Sequence, residues 1–216
     1  MINIKGAIFD ADGTLLDSMW MWHMVEAEYY GGFEVSPRPA FVETLRTLNL
    51  TESVEYFQSG NEANKTTDEI AYEIISIMKE FYSRNVLLKP GIIPVLDAFR
   101  ARGIKMCIAT ATDEPLMEIA LKRTGIYGYF DKIFTCRGEN TTKSRPEIFL
   151  RAAAFLGTDI KDTLIIEDAL YAIKTAKSAG FPVVGVYDKS ADSHQDDIKN
   201  LCDYYYKTMS DMLEEI

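Results

Sequence analysis

From residue 89 onward, short apolar segments alternate with segments of helical periodicity, and this alternation constrains the fold more than any other feature of the chain. The strands are predicted at residues 104–109, 132–135, 163–166 and 183–186, and each is preceded by a predicted helix, at 94–101, 114–124, 146–156 and 169–179. A further short strand at residues 5–9 ends abruptly at Asp10. Such alternation predicts an α/β protein with a parallel sheet and helices on both faces.

The segment between the first strand and the alternating region has only helical patterns. Ile70, Ile74 and Met78 recur at helical spacing, and no convincing strand appears between residues 18 and 84. We therefore expect an all-helical domain, residues 17–87, inserted into a core formed by residues 1–16 and 88–216.

Charge and composition exclude several classes of function. The 216 residues include 33 acidic and 23 basic side chains, which gives a formal net charge of −10. An acidic surface does not favour nucleic acid, because phosphate neutralisation needs excess Lys and Arg. The presence of only two histidines does not favour His-based acid–base chemistry, and three isolated cysteines give no disulfide framework or zinc motif. With no signal peptide or long apolar span evident, a soluble cytoplasmic protein with no membrane partner is expected.

Chemically useful side chains follow the predicted strands. In an open parallel sheet, ligands bind beyond the carboxyl ends of the strands, so these side chains are expected to converge. They are Asp10, Asp12 and Gly13 after the first strand, Thr110 and Ala111 after the second, Lys143 in the loop beyond the third, and Glu167 and Asp168 after the fourth.

These residue types suit phosphoryl transfer. Asp10 and Asp168 are oxygen ligands of the kind that Mg²⁺ prefers, and the ion would let a phosphate approach Asp10. Asp10 would then attack phosphorus to give an aspartyl phosphate. Asp12 returns to the same side of an extended chain and suits a general acid and then a general base.

The remaining groups suit recognition of the phosphate. Gly13 lets the backbone turn and approach a ligand closely. The hydroxyl of Thr110 and the backbone N–H of Ala111 would donate to phosphoryl oxygens, and Lys143 would supply a compact positive charge. Each motif alone has an ordinary structural explanation, such as a turn, a helix cap or a solvated lysine. Their joint occurrence in this order favours a catalytic site.

With these motifs the chain resembles the haloacid dehalogenase superfamily, in its Mg²⁺-dependent phosphatase and β-phosphoglucomutase-like branch with a helical cap. Residues 9–15, 108–110, 143–149 and 164–180 carry the resemblance. It implies a Rossmann-like three-layer core plus an inserted helical cap domain. It also implies Asp10 as nucleophile, Asp12 as general acid and base, Thr110 and Lys143 on the phosphate, and Mg²⁺ held by Asp10, the backbone carbonyl of Asp12 and Asp168, with Glu167 auxiliary.

Departures from the family pattern are modest. Ser144 follows Lys143 where many relatives have Pro, Thr142 stands where Gly is frequent, and Ala111 stands where Asn is common in the phosphatases. The last of these removes one side-chain contact to phosphate. None removes an essential chemical group.

Substrate choice is expected to lie in the cap. Arg46 is the candidate to reach the remote end of the substrate, and Trp22 is a candidate floor of the site. The alternatives are an exposed helix arginine and a tryptophan that only packs the cap. Mutase relatives tend to carry His near the Trp22 position and Val in place of Thr14, so this chain favours hydrolysis.

The resulting prediction is a Mg²⁺-dependent phosphatase that acts on a small phosphorylated metabolite, as a monomer or weak dimer. A phosphomutase of the β-phosphoglucomutase type is the enzymatic alternative. A catalytically silent binding or regulatory protein on the same fold is the alternative from another class.

Overall fold

The computed structural model describes residues 4–22, 24–25, 55 and 65–215. The strands are β1 (Gly6–Phe9), β2 (Leu16–Asp17), β3 (Leu87–Leu88), β4 (Lys105–Thr110), β5 (Ile133–Thr135), β6 (Thr163–Glu167), β7 (Val183–Val186) and β8 (Tyr204–Tyr206). The α-helices are α1 (Thr67–Arg84), α2 (Ile92–Ala101), α3 (Glu114–Arg123), α4 (Glu147–Leu156), α5 (Leu170–Ser178), α6 (Gln195–Leu201) and α7 (Met209–Met212). Short 3₁₀ turns occupy Tyr127–Tyr129, Ile160–Asp162 and Lys189–His194.

Six strands form one sheet in the order β5-β4-β1-β6-β7-β8, and every neighbouring pair is parallel. The carboxyl ends of all six strands therefore meet at one edge. Strand β1 lies in the middle, between β4 and β6, so the segments that follow these three strands are neighbours. The predicted parallel sheet is confirmed.

Alternate residues of β1 enter two different apolar cores. Ala7 and Phe9 belong to the core that includes residues of α2 and α3, whereas Ile8 belongs to the core that includes residues of α4 and α5. Since side chains alternate across a strand, helices cover both faces of the sheet. The predicted three-layer α/β fold class is confirmed.

The segment that precedes the second half of the core is a regular amphipathic helix. Thr66 caps α1 in a capping box with Glu69, and Ile70, Ile74 and Met78 are buried along one face. The helical spacing of these three residues is thus confirmed. The extent of the inserted domain stays a prediction, because much of it, Arg46 included, lies outside the described residues.

Three short strands, β2, β3 and β8, were not predicted from the sequence patterns. Strands β2 and β3 pair antiparallel, Leu16 with Leu88 and Asp17 with Leu87, and join the two segments that enter and leave the insertion. Strand β8 adds an edge to the sheet through a tyrosine triplet. Runs of two or three residues are too short for periodicity to indicate a strand.

Two further sequence expectations concern cysteine and membranes. Cys107 and Cys136 are buried, Cys202 is half-buried, and all three are free thiols. Within the described ranges, no helix combines the length and the apolar character that crossing a membrane requires.

Candidate active site

A buried carboxylate–ammonium–carboxylate arrangement lies at the carboxyl edge of the sheet. Asp10 directly follows β1, and its backbone N–H donates to the carbonyl of Ile166 at 2.9 Å, which continues the sheet ladder. The Nζ of Lys143 donates to Oδ1 of Asp10 and to Oε1 of Glu167, the latter at 2.7 Å. All three side chains are buried. The structure thus brings together Asp10 and Lys143, predicted for catalysis, and Glu167, predicted as an auxiliary acid of the metal site.

Burial and charge perturb both Asp10 and Lys143. Burial, together with the charge of Glu167, raises the pKa of Asp10 to about 7, although Lys143 opposes this rise. Burial alone would lower the pKa of Lys143, but the carboxylates of Asp10 and Glu167 outweigh it and raise that pKa well above its ordinary value. The ammonium therefore stays charged at neutral pH. A strongly perturbed acid beside a fixed charge is typical of functional sites.

Glu167 holds the lysine and the following loop at once. Its Oε1 accepts from Lys143, and its Oε2 accepts from the backbone N–H groups of Asp168 and Ala169 at 2.7 and 2.9 Å. Both oxygens are therefore engaged within the protein. This arrangement fixes Lys143 beside Asp10 and sets the backbone direction at Asp168.

The same centre is suited to a divalent cation. One carboxylate oxygen each from Asp10, Glu167 and Asp168 lies within 4.8 Å of the others, and all three residues are buried. Oδ2 of Asp10 is buried and has no hydrogen-bond partner among the described residues. If all three acids ionise, one ammonium leaves two negative charges uncompensated. An all-oxygen donor set with this excess charge fits Mg²⁺.

Gly13 forms the turn that brings the first loop against Asp168. Its φ of +92° lies in the left-handed region, and a Cβ at this position would collide with the Asp168 carboxylate. The Thr14 hydroxyl donates to Oδ1 of Asp168 at 3.5 Å. Glycine is therefore required here for both conformation and space.

Lys89 secures the same turn from the other side. Its ammonium donates to the carbonyls of Gly13 and Tyr187 at 2.7 and 2.6 Å and to Oδ2 of Asp188 at 2.9 Å. Burial alone would raise the pKa of Asp188, but Lys89 and the hydrogen bonds from Ser190 lower it. The turn after β1 is thereby tied to the loop after β7.

Asp12 lies in a different environment from Asp10. Its Oδ1 accepts from the hydroxyls of Ser18 at 2.6 Å and Tyr82 at 2.7 Å, and its Oδ2 accepts from the hydroxyl of Thr112 at 2.7 Å. Burial and the charge of Asp12 raise the pKa of Tyr82 well above its ordinary value, so the phenol stays protonated. The Asp12 carboxylate is not in the group of acids around Lys143. Its predicted metal contact is through the backbone carbonyl.

The predicted phosphate-binding residues lie at the end of β4, next to β1. Thr110 is buried, and its hydroxyl oxygen accepts from the backbone N–H of Thr112 at 3.1 Å, so its own O–H remains a donor. Ala111 is half-buried. Their contact with phosphate stays a prediction.

The two predicted specificity residues have different outcomes. Trp22 is half-buried and packs against the apolar core, which agrees with the packing alternative and leaves a substrate contact as a prediction. Arg46 lies outside the described residues.

Several functional-site contacts were missed from the sequence. These involve Ser18, Tyr82, Lys89, Thr112 and Asp188. Two local signals existed. Thr112 follows Thr110 at strand spacing, and Lys89 immediately precedes the Pro-Gly that opens the second half of the core.

Comparison with known proteins finds similarity to one hydrolase family and to proteins named as phosphatases. A model of the haloacid dehalogenase-like hydrolase family matches residues 7–186. A Bacillus subtilis (strain 168) protein named as a phosphatase, YhcW, is 28% identical over 192 residues, which is 86% of this chain and 84% of that protein. The phosphoglycolate phosphatase of Thiobacillus denitrificans is 27% identical over 187 residues, with 83% and 82% of the two chains covered.

Solved structures agree on the fold. The structure of CbbY from Rhodobacter sphaeroides, in complex with xylulose-1,5-bisphosphate, superposes with a TM-score of 0.83 at 20% identity. The match covers 96% of this chain and 95% of that one. The overall fold is thus shared with that structure.

Proposed function

The chain belongs to the haloacid dehalogenase-like hydrolases and is a phosphatase of that superfamily, as its motifs predicted, and we propose that it is a Mg²⁺-dependent hydrolase of small phosphate monoesters acting through an aspartyl phosphate on Asp10. The observation that carries this proposal is the state of Asp10. Its Oδ1 accepts a hydrogen bond from Lys143, and its Oδ2 is buried without a hydrogen-bond partner in the described part of the chain.

Lys143 keeps Asp10 suited to nucleophilic attack. A nucleophilic carboxylate must be ionised, and the adjacent ammonium favours the ionised form. The same ammonium supplies positive charge where the phosphoryl oxygens gather negative charge during transfer. Glu167 holds Lys143 in place through its 2.7 Å hydrogen bond.

Mg²⁺ would be held by Asp10 and Asp168, with the backbone carbonyl of Asp12 and, as an auxiliary acid, Glu167. When bound, it supplies charge neutralisation between the acids and the phosphate. The buried acids of this centre need such a cation, because without a counter-ion their excess negative charge repels a phosphate.

The proposed reaction has two half-reactions that share Asp12. In the first, an oxygen of Asp10 bonds to phosphorus, the ester P–O bond breaks, and Asp12 gives its proton to the departing alkoxide. In the second, Asp12 takes a proton from water as the water oxygen bonds to phosphorus. The bond from phosphorus to Asp10 then breaks, which releases phosphate and restores both aspartates.

The substrate class is proposed from the site and the relatives together. The phosphoglycolate phosphatase relative is named for a small phosphorylated acid, and the CbbY structure contains a phosphorylated sugar. Small metabolites of this kind suit a net charge of −10, because Lys143, backbone N–H groups and one cation neutralise a single phosphate locally.

A metabolite panel with matched variants tests the proposal. Purified protein with Mg²⁺ is assayed for phosphate release from sugar phosphates, phosphorylated acids and 4-nitrophenyl phosphate, with Asp10→Asn as the inactive variant and Asp162→Asn as the control. Asp162 pairs with Lys5 at the surface, away from the site. We expect Asp10→Asn to lose at least about 1,000-fold in activity and Asp162→Asn to keep wild-type activity.

Two measurements separate this mechanism from its alternatives. Incubation with ³²P-labelled substrate and rapid acid quench is expected to leave label on the wild-type chain that hydroxylamine removes, as an acyl phosphate requires. A phosphomutase would convert a sugar phosphate into its isomer without free phosphate, and a silent protein would release none from the panel. Either result, or appreciable hydrolysis by Asp10→Asn, refutes the proposal.

A further inference from the structure

Three hydroxyl groups from three separate segments meet at Asp12. Ser18 follows β2, Thr112 follows β4, and Tyr82 belongs to the last turn of α1. Their hydrogen bonds to the carboxylate are 2.6 to 2.7 Å long. We call Ser18, Tyr82 and Thr112 the hydroxyl cradle.

The cradle differs in kind from the partner of Asp10. Asp10 is bonded to an ammonium, which has only donors and favours a negative charge. A hydroxyl is both donor and acceptor, and it can rotate to donate to a carboxylate or accept from a carboxylic acid. A neutral cradle therefore fits a side chain that must hold a proton in one step and lack it in the next.

Tyr82 is the member of the cradle that lies at the far end of the inserted segment, in the last turn of α1. Its side chain is completely buried, so its two side-chain torsions are held by packing. Arg123 of α3 donates to the carbonyls of Tyr82, at 2.8 Å, and of Val86. The end of α1 is thereby fixed to the core, and the phenol is held at Asp12.

We propose that Tyr82 is a positioning residue for proton transfer, which holds the Asp12 carboxyl group in one orientation through its 2.7 Å hydrogen bond. This inference rests on the proposed function, in which Asp12 is the general acid and base. It adds that the helix leading out of the insertion reaches the proton-transfer group directly, through one hydroxyl.

The proposal predicts a dependence on the leaving group that a merely structural residue would not show. Departure of an alkoxide needs a proton, whereas 4-nitrophenolate departs without one. Loss of the Tyr82 hydroxyl is therefore expected to slow transfer from alkyl phosphates selectively. The second half-reaction needs Asp12 as a base whatever the leaving group was, so turnover of the intermediate is expected to slow with both substrates.

The test compares Tyr82→Phe with wild type and with Tyr72→Phe, which removes a phenol from an exposed position of the same helix. The probes are 4-nitrophenyl phosphate and whichever of 2-phosphoglycolate, glucose 6-phosphate and glycerol 3-phosphate the wild type hydrolyses fastest. For Tyr82→Phe we expect kcat/KM for the alkyl phosphate to fall about tenfold or more and that for 4-nitrophenyl phosphate by less than about threefold. A pre-steady-state burst of 4-nitrophenolate should accompany a lowered kcat. Tyr72→Phe should match wild type.

A second variant protects the test against a simple folding defect. Thr112→Val removes another hydroxyl of the cradle at nearly constant volume, on the core side of the site, and should produce the same selective loss. If kcat/KM falls equally for both substrates in Tyr82→Phe and Thr112→Val, the positioning role is refuted, whereas the proposed hydrolase function is not. Absence of phosphate release by wild type from every probe refutes the proposed function itself.

Discussion

Asp10→Asn is expected to make the chelator-treated protein more stable at pH 8, although we expect the same change to remove catalytic activity. Burial and Glu167 raise the pKa of Asp10 from its ordinary value of 3.8 to about 7. An acid whose pKa is raised by folding binds a proton in the folded state that the unfolded state has released. Stability therefore falls as the pH rises from about 4 to about 7, and stays lowered above that.

The magnitude follows from the width of that interval. Each pH unit between the two pKa values corresponds to about 1.4 kcal/mol, so ionising Asp10 in the folded protein costs up to about 4 kcal/mol. Asparagine has nearly the same shape and no charge. We expect Asp10→Asn to be about 2–4 kcal/mol more stable than wild type at pH 8, with the difference shrinking towards zero near pH 4.

The assay is urea unfolding in EDTA, followed by tryptophan fluorescence, at several pH values between about 4.5 and 8.5. Asp162→Asn is the matched control. Its carboxyl has a pKa lowered by the hydrogen bond and charge of Lys5, so its loss should give no stabilisation at pH 8. If Asp10→Asn is no more stable than wild type at pH 8, or if its advantage is independent of pH, the electrostatic argument is wrong.

Mg²⁺ should narrow the stability difference between wild type and Asp10→Asn. A cation that binds only the folded state stabilises it by about 2.7 kcal/mol at a concentration one hundred times its Kd. Wild type should gain stability on titration with Mg²⁺ at pH 8, and Asp10→Asn should gain less because it has lost one ligand. An equal response of both proteins would exclude Asp10 from the cation site.

Two further substitutions test the supports of the site. Gly13→Ala should cost about 1–3 kcal/mol for its positive φ and more for the collision with Asp168, and it should weaken Mg²⁺ binding. Gly125→Ala, at a φ of +79° with open space around it, is the control, and equal losses in urea unfolding would contradict the collision. Asp188→Asn should cost about 1–3 kcal/mol at pH 6 by weakening the buried pair with Lys89. Because folding lowers the pKa of Asp188, this contribution exists above the ordinary aspartate pKa and is lost as the pH falls through the lowered one, so an undiminished loss at about pH 3 would argue against it.

The convergence of the site followed from topology, and topology followed from pattern. Once the alternation of strands and helices predicts a parallel sheet, the segments after its strands must share one edge. Asp10, Thr110 and Asp168 meet there for that reason. The strands that carry them were predicted within a residue or so, because each is a short apolar run with a polar residue or a glycine at its end.

The contacts that hold these groups depend on packing that sequence patterns do not encode. Tyr82 and Asp12 are 70 residues apart in the chain, and Thr112 and Asp12 are 100 apart. Their contact depends on how α1 lies against the core and on which side each hydroxyl faces. A buried tyrosine at helical spacing indicates a core position equally well. Lys89, next to a turn, likewise resembles an ordinary surface lysine.

The two aspartates of the first motif are the same residue type, two positions apart, and residue type alone does not distinguish their predicted roles. Their partners do. The ammonium beside Asp10 favours the ionised carboxylate, as a nucleophile requires. Neutral hydroxyls around Asp12 allow both states, as a group that first gives and then takes a proton requires. The proposed difference in role therefore depends on side chains contributed by distant segments. Replacing one of the hydroxyls at Asp12 with an ammonium would favour an ionised carboxylate there, as the ammonium of Lys143 does at Asp10.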